Sequence, residues 1–320
     1  MVPQNKRAKK SYPKPGNAGG TLLRQIHALL FKSPKSPFYP SSPIKDAHIL
    51  IACSGGIDSV ALAVALSKYG RRIVAKEALE LLHIDHGWRG AVSESDSRFV
   101  SQLGDDLGIP VIQEKLTPKV FEKKGESQEN LARMQRKKLY QKWVCRKEAE
   151  LGKKTFVLTA HHADDVFETL LWRIFTGALL HESEGIQLCT GHELRPLIRV
   201  EKKTLIEFLS EESQSYCEDQ TNQDTRFLRN GIRHRLVPEI LALFPNAKRR
   251  LMELTKQLDE HRDDLKLPKI AQELMGRQVP LRKDQIKLIR NEKAVTLSGG
   301  WQLTPPQKTL GKSNRVDRSS

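Results

Sequence analysis

The chain reads as an α/β protein: an open parallel sheet with helices on both faces, followed by a small helical C-terminal domain. Three observations predict this. Short apolar runs alternate with longer segments of helical spacing between about residue 46 and residue 236. A glycine-rich seam, CSGGIDS at 53–59, joins the first apolar run to a helix-like stretch. Beyond residue 236 strand signals stop, and apolar residues recur at helical intervals among many charges.

Residues 1–45 contain no Asp or Glu but carry Lys6, Arg7, Lys9, Lys10 and Lys14 among seven prolines. They read as a basic, Pro-rich extension in which only LLRQIHALLF, residues 22–31, has helical spacing. HILIAC (48–53) is the first strand and DSVALAVALSKYG (58–70) the helix after it. LELLHID (79–85), the helix SESDSRFVSQLGDDLG (93–108) and the strand IPVIQEKL (109–116) follow. A long charged helix, residues 126–152, precedes the strand TFVLTA (155–160) and the helix ADDVFETLLWRIFTG (163–177). ELRPLIRV (193–200) reads as a further strand and KKTLIEFLSEE (202–212) as a helix. The near-continuous apolar character of these strands indicates burial on both faces, as in parallel sheets. The expected domains are therefore 46–236 for the α/β body, 237–308 for the helical domain and 309–320 for a disordered tail.

A net charge of +16 and a pI near 9.7 favour a polyanionic partner, nucleic acid above all. The alternative is a basic surface with no specific partner. Cys53, Cys145, Cys189 and Cys217 are scattered, which excludes a disulfide framework or a zinc motif and points to a reducing, cytoplasmic setting. No apolar run is long enough for a membrane span, and the basic N-terminus lacks the apolar stretch of a secretory signal. Oligomeric state has no signature here, and a homodimer stays open.

The seam carries the first chemistry. A strand that ends in glycines and opens a helix presents unpaired N–H groups and a positive dipole end, which bind phosphate. Ser54, Gly55, Gly56, Ile57, Asp58 and Ser59 form this candidate phosphate grip. Asp58 would repel phosphate directly, so its expected work is to hold Mg²⁺ beside it; the alternative is that Asp58 and Ser59 are ordinary helix caps. The stretch is neither GxxxxGK[ST] nor GxGxxG. SGGxDS after a buried strand resembles the PP-loop of the ATP pyrophosphatases, and the resemblance implies ATP with its pyrophosphate held by the loop.

Further segments, in one order, narrow the resemblance: HIDHGWRG (83–90), ENLARMQR (129–136), LTAHHADDVFETLL (158–171), RPLI (195–198) and YCEDQTNQDTRFLRNGIRHRLVPEI (216–240). Over residues 46–240 the chain resembles the tRNA(Ile)-lysidine synthetase family. That resemblance implies an ATP-dependent ligase which adenylates carbon 2 of the wobble cytidine in the CAU-anticodon tRNA(Ile). The ε-amine of free L-lysine then displaces AMP. Arg133 sits where the family has a functional arginine; on position alone it would be one exposed helix charge among many.

If a helix begins near His161, then His161, Asp164, Asp165 and Glu168 share one face at the carboxyl end of the TFVLTA strand. Such a set can bind an ammonium, place Mg²⁺ or accept a proton. Asp165 and Glu168 are the expected lysine pair, and His161 an ATP or acid–base contact; a transition-metal site is the competing reading. His83, Asp85 and His86 close the second strand, where they contact nucleotide or order the loop. Arg226, Arg229 and Arg233 are expected to contact tRNA or to form a salt-bridged hinge. Two departures from the family pattern stand out: Lys137 rather than Tyr follows Arg136, and TGALLHESEGIQLCTG replaces a Gly- and Leu-rich loop. The rival readings are a 2-thiocytidine thiolase, which would need paired reactive cysteines, and a non-catalytic RNA-binding protein on the same fold.

Overall fold

In a computed structural model, the residues described are 14–85, 91–116, 128–176, 187–217, 228–260, 295–296, 301–303 and 316–318. The chain divides into two compact units, Met1–Glu253 and Leu254–Ser320.

The first unit is organised by a six-stranded sheet in the order β3-β2-β1-β4-β6-β5. Its strands are β1 (Ala47–Ala52), β2 (Leu79–Asp85), β3 (Val111–Lys115), β4 (Lys154–Leu158), β5 (Cys189–Thr190) and β6 (Glu193–Leu194). All pairings are parallel except the short β5–β6 contact. The parallel α/β fold read from the sequence is thus the fold observed. ELRPLIRV shrinks to a two-residue strand, because Pro196 lacks the N–H that a continuing ladder needs.

The strand order holds the decisive feature. From β1 the chain steps outward to β2 and β3, then crosses back to place β4 on the other side of β1. The β1–β4 boundary is therefore the topological switch point, where ligands of open α/β sheets collect at the carboxyl edge.

Helices cover both faces of the sheet. α2 (Ile57–Val64, continued by a wide turn to Tyr69), α3 (Ala91–Leu107) and α6 (Lys202–Glu211) share one core with Ile49, Ile51, Leu79 and Leu81. On the opposite face α4 (Gln128–Leu151) sets Trp143 and Val144 against Leu50, Leu82 and Val157. α5 (Ala163–Thr176) buries Phe167 and Leu171 against Ile232. Leu236, Val237, Ile240, Leu241, Ala247 and Leu251 complete that cluster, from the wide turn after α7 (Leu228–Gly231), α8 (Val237–Leu243) and α9 (Ala247–Glu260). The first unit runs past the expected boundary at 236 for this reason: α5 needs α8 and the start of α9 to cover its apolar side.

The N-terminal segment is more than a tail. Helix α1 (Asn17–Phe31) starts five residues before LLRQIHALLF and inserts Leu22, Ile26 and Leu30 into the main core. Gly19 lets α1 and α6 approach closely: a Cβ there would stand 2.9 Å from Pro15 Cβ and 3.0 Å from the Phe208 ring of α6, so both would have to shift. The first turn of α1 has no acid of its own. Glu211 of α6 supplies one, accepting the N–H groups of Ala18 and Gly19 at 3.0 and 3.2 Å. The period of 22–31 was legible; the cap was not, because it comes from 193 residues away.

In the second unit three short strands, β7 (Val295–Thr296), β8 (Trp301–Leu303) and β9 (Val316–Arg318), pair antiparallel in that order. Strands of two or three residues show no period, so sequence patterning read helix and tail there instead. Among the described residues no helix is long and apolar enough to cross a membrane.

Ile26 is fully buried in the main core. Ile26→Ala is expected to destabilise the protein by about 2–5 kcal/mol, read from the urea midpoint at unchanged slope. An unshifted midpoint would show that α1 is peripheral to the core.

Candidate active site

The seam leaves the sheet at Cys53, whose N–H still bonds Leu82 O at 2.9 Å. Gly55 follows with φ +87°, a left-handed conformation that glycine adopts without cost. A Cβ there would also press on the Cys217 thiol at 3.2 Å. Cys217 in turn donates its N–H to Gly55 O at 2.9 Å, strapping the chain after α6 onto the turn. The buried Ser59 hydroxyl ties the turn from inside: it donates to Gly56 O at 2.9 Å and accepts the Ser54 N–H at 3.2 Å. Among the described residues no side chain caps the first turn of α2, whose N–H groups suit an anion.

Asp58 leans from that first turn toward β4. Its Oδ1 is buried with no hydrogen-bond partner among the described residues, and its Oδ2 lies 3.5 Å from His162 Nε2. The same Nε2 is 3.5 Å from Asp165 Oδ2, and Nδ1 is 3.5 Å from Asp164 Oδ2. The His162 N–H also donates to Asp165 Oδ2 at 3.0 Å. Burial alone would lower the pKa of this ring, but hydrogen bonds to Asp164 and Asp58 and the charge of Asp165 raise it to about 9. His162 is therefore an imidazolium at neutral pH. At Nδ1 the Asp164 N–H lies 3.2 Å away and the Asp164 Oδ2 carboxylate oxygen 3.5 Å away.

The remaining carboxylates are held by two cations from later in the chain. Arg233 donates through Nε to Glu168 Oε1 at 2.6 Å and through Nη2 to Glu168 Oε2 at 2.9 Å and Asp165 Oδ1 at 3.3 Å. Burial pulls the Arg233 pKa down, but Glu168, Asp165 and Asp58 together raise it. Lys248 Nζ lies 2.6 Å from Asp164 Oδ1, and the Lys202 N–H bonds Asp164 Oδ2 at 2.9 Å. Burial is outweighed here as well, and Asp164 is held well below the usual carboxylate range. Among the described residues the four carboxylates of Asp58, Asp164, Asp165 and Glu168 thus meet the basic groups of His162, Arg233 and Lys248.

Most of the expected residues converge at this point. Ser54, Gly55, Gly56, Ile57, Asp58 and Ser59 sit at the switch point on the β1 side, and Asp165 and Glu168 on the β4 side. The helical count starting at His161 does not hold, because α5 begins at Ala163. His161 pairs Nδ1 with Thr159 Oγ1 at 3.0 Å, and the histidine that meets Asp58 is His162. The sequence reading passed over His162; the doubled HH was the signal. Arg233, expected at RNA or in a hinge, has its guanidinium on the two carboxylates expected to hold lysine.

His83 is buried, with Nδ1 2.9 Å from Cys53 O and Nε2 3.2 Å from Ser97 Oγ. Both ring nitrogens thus join β1, β2 and α3, an ordering role. Asp85 is buried at the end of β2. Arg133 is exposed on α4, and its charge reaches the buried Arg195 just beyond β6. Arg195, also passed over in the sequence, donates to Gln187 O at 2.9 Å, Thr190 Oγ1 at 3.1 Å and Glu193 Oε2 at 2.8 Å. His86 and Arg226 lie outside the described residues, and Arg229 is placed only as part of α7. Among the described residues no three His, Cys, Asp or Glu side chains are arranged to hold a metal by themselves.

A family model for the PP-loop domain matches residues 27–240. The tRNA(Ile)-lysidine synthase of Chlamydia caviae is 32% identical over 231 residues, spanning 70% of this chain and 67% of that protein. The chain belongs to the tRNA(Ile)-lysidine synthase family of PP-loop proteins. The family member of Geobacter sulfurreducens is 33% identical over 266 residues, which is 81% of this chain. The chain spans about half of that protein's length, 52%. Among solved structures, the U34-tRNA thiolase NcsA from Methanococcus maripaludis superposes with a TM-score of 0.56, covering 76% of this chain and 79% of that one. At 15% identity this likeness speaks to the PP-loop fold alone.

The charged His162 gives the ligand-free protein a pH dependence of known sign. Its folded pKa, about 9, lies above the ordinary 6.5, so its stabilisation is full below pH 6.5 and lost as pH rises through 9. Between these limits the thermal midpoint of the wild type is expected to fall more steeply than that of His162→Gln. Parallel curves would mean that the ring is not charged in the fold.

Proposed function

We propose that the chain is a tRNA(Ile)-lysidine synthase: a cytoplasmic, ATP-dependent ligase joining free L-lysine to carbon 2 of the wobble cytidine in the CAU-anticodon tRNA(Ile). The observation that carries this reading is the meeting of Asp58, from the phosphate seam, with the Asp165–Glu168 pair through His162. A phosphate grip and an acidic site for a cation share one switch point, as an enzyme needs that activates with ATP and then accepts an amine.

The chemistry follows from the residues. Phosphates of ATP fit against the open N–H groups of the α2 first turn, with the Ser54 hydroxyl beside them. The buried, unpartnered Oδ1 of Asp58 fits a Mg²⁺ shared with those phosphates. Such an ion, when bound, supplies neutralisation of the phosphate charge. Arg133, in the amino half of α4, brings a cation toward the carboxyl edge of the sheet, since α4 runs back from that edge into β4. The C2 oxygen of the cytidine attacks the α-phosphate, the bond to pyrophosphate breaks, and that oxygen becomes a leaving group as AMP. The lysine nitrogen then bonds to C2 as the C–O bond to AMP breaks.

Free lysine arrives as an ammonium, with an ε-amine pKa of about 10.4. It therefore needs a carboxylate to hold it and to take its proton. Asp165 and Glu168, gathered side by side by Arg233, meet that need. The two thiols beside the seam, Cys53 and Cys217, are poorly suited to sulfur transfer. Burial pushes Cys53 up, and burial with the Asp96 carboxylate pushes Cys217 up to about 12. Sulfur chemistry requires a thiolate.

The direct test is incubation with ATP, labelled lysine and a CAU-anticodon tRNA transcript. Label is expected in the RNA with one AMP released per lysine attached; lysine-independent AMP release without label would overturn the reading. Asp58→Asn is expected to lower turnover by at least a hundredfold with the fold intact, and near-normal turnover would remove Asp58 from ATP handling. Asp165→Asn should raise the KM for lysine at least tenfold and leave that for ATP within twofold. A lysine KM that does not move assigns the ammonium elsewhere.

A further inference from the structure

We infer that the amino-terminal half of α4 is a docking face for the phosphate backbone of the substrate RNA beside the modified nucleotide, an assignment that rests on the function proposed above. The argument starts from how charge is divided along one helix. In the carboxyl half every cation with a role in packing has an acidic partner. Lys142 Nζ meets Glu114 Oε1 at 2.6 Å, and Lys147 Nζ meets Glu80 Oε2 at 2.8 Å. Arg146 Nε meets Glu150 Oε1 at 2.7 Å, with its guanidinium 4.7 Å from the Trp143 ring centre. In the amino half, Arg133, Arg136, Lys137 and Lys138 have no carboxylate partner among the described residues. Arg133, Lys137 and Lys138 are exposed, while Leu131 and Ala132 bury the other side. Four like charges in six residues repel one another on a helix and remain unexplained by folding.

Their position supplies the explanation. Gly152 and Lys153 lead directly from α4 into β4, so α4 runs antiparallel to the strands and its amino end reaches their carboxyl edge. The sheet contacts of α4 come from Tyr140, Trp143 and Val144. Residues 128–139 continue beyond them, about 18 Å of helix. Arg133 is felt by Arg195 at the end of β6, on the same edge as Asp58 and Asp165. The seam already provides for the phosphates of ATP, so these cations serve a second, extended anion. A polynucleotide whose base is held at the switch point must lay its backbone across this edge. Each phosphate neutralised there releases a counterion, which makes the contact readable from salt dependence.

The test is a charge reversal at the two exposed lysines that have no part in the chemistry, Lys137→Glu/Lys138→Glu in the full chain. Binding of the CAU-anticodon tRNA transcript is measured across a salt series, with ATP affinity as the control for folding. Lys153→Glu/Lys154→Glu makes the same change in net charge at the opposite end of the helix. The expected result is at least a tenfold loss of tRNA affinity at low salt for the 137/138 variant. Its log–log salt slope should be smaller by roughly 1.4–1.8, from about 0.7–0.9 per phosphate. ATP affinity should be unchanged, and the 153/154 variant should lose threefold or less. Wild-type tRNA binding by the 137/138 variant, or equal losses in both variants, would overturn the assignment. If the wild type binds the transcript but attaches no lysine to it, the proposed activity fails while the docking face is still judged by the binding series.

Discussion

β1 and β4 lie side by side, yet the chain leaves and returns to them from opposite directions, and that reversal is the constraint on which the site depends. Because the two strands are neighbours, the turn after β1 and the turn after β4 open at the same edge only one strand spacing apart. Asp58 and His162, separated by about a hundred positions in the chain, come within 3.5 Å. The rest of the first unit serves this adjacency. α2, α3 and α6, with α1 packed on α6, hold one face of the sheet, and α4 holds the other. The apolar side of α5 is clamped by α8 and α9, which keeps its acidic side at the edge.

Electrostatics explains why so many ionised groups persist there. Carboxylates half-withdrawn from water would protonate unless paired. Here His162, Arg233 and Lys248 keep them charged, each cation drawn from a different part of the chain. Asp58 keeps one buried oxygen without a hydrogen-bond partner among the described residues. A site poised in this way favours cations, be it an ammonium or a metal ion shared with phosphate, while the glycine turn beside it favours anions. Neighbouring regions of opposite preference suit a reaction that uses ATP to activate one substrate and an amine to complete the exchange.

The same logic extends to the surface. Along α4 the cations that pack against the sheet have acids to meet, and those nearest the site have none. Charge left unpaired at one end of one helix differs from a basic protein's general excess, because it has a direction.

Much of this was legible in the sequence. Strand burial, helix periods, the SGGxDS turn and the acidic helix after TFVLTA follow from spacing and residue chemistry, which act over a few residues. What the sequence could not decide was which distant groups meet. It placed His161 in the acidic cluster, but α5 starts two residues later, at Ala163, and the ring that meets Asp58 is that of His162. It read Arg233 as an RNA contact or a hinge residue and Asp165 and Glu168 as a waiting pair, whereas folding brings the three together. It set residues 1–45 apart, although Leu22, Ile26 and Leu30 lie in the main core under a cap supplied by Glu211. Local periodicity determines elements because backbone hydrogen bonds and side-chain alternation are short-ranged. Ion pairing and capping across the sheet depend on strand order, and only the tertiary structure decides that.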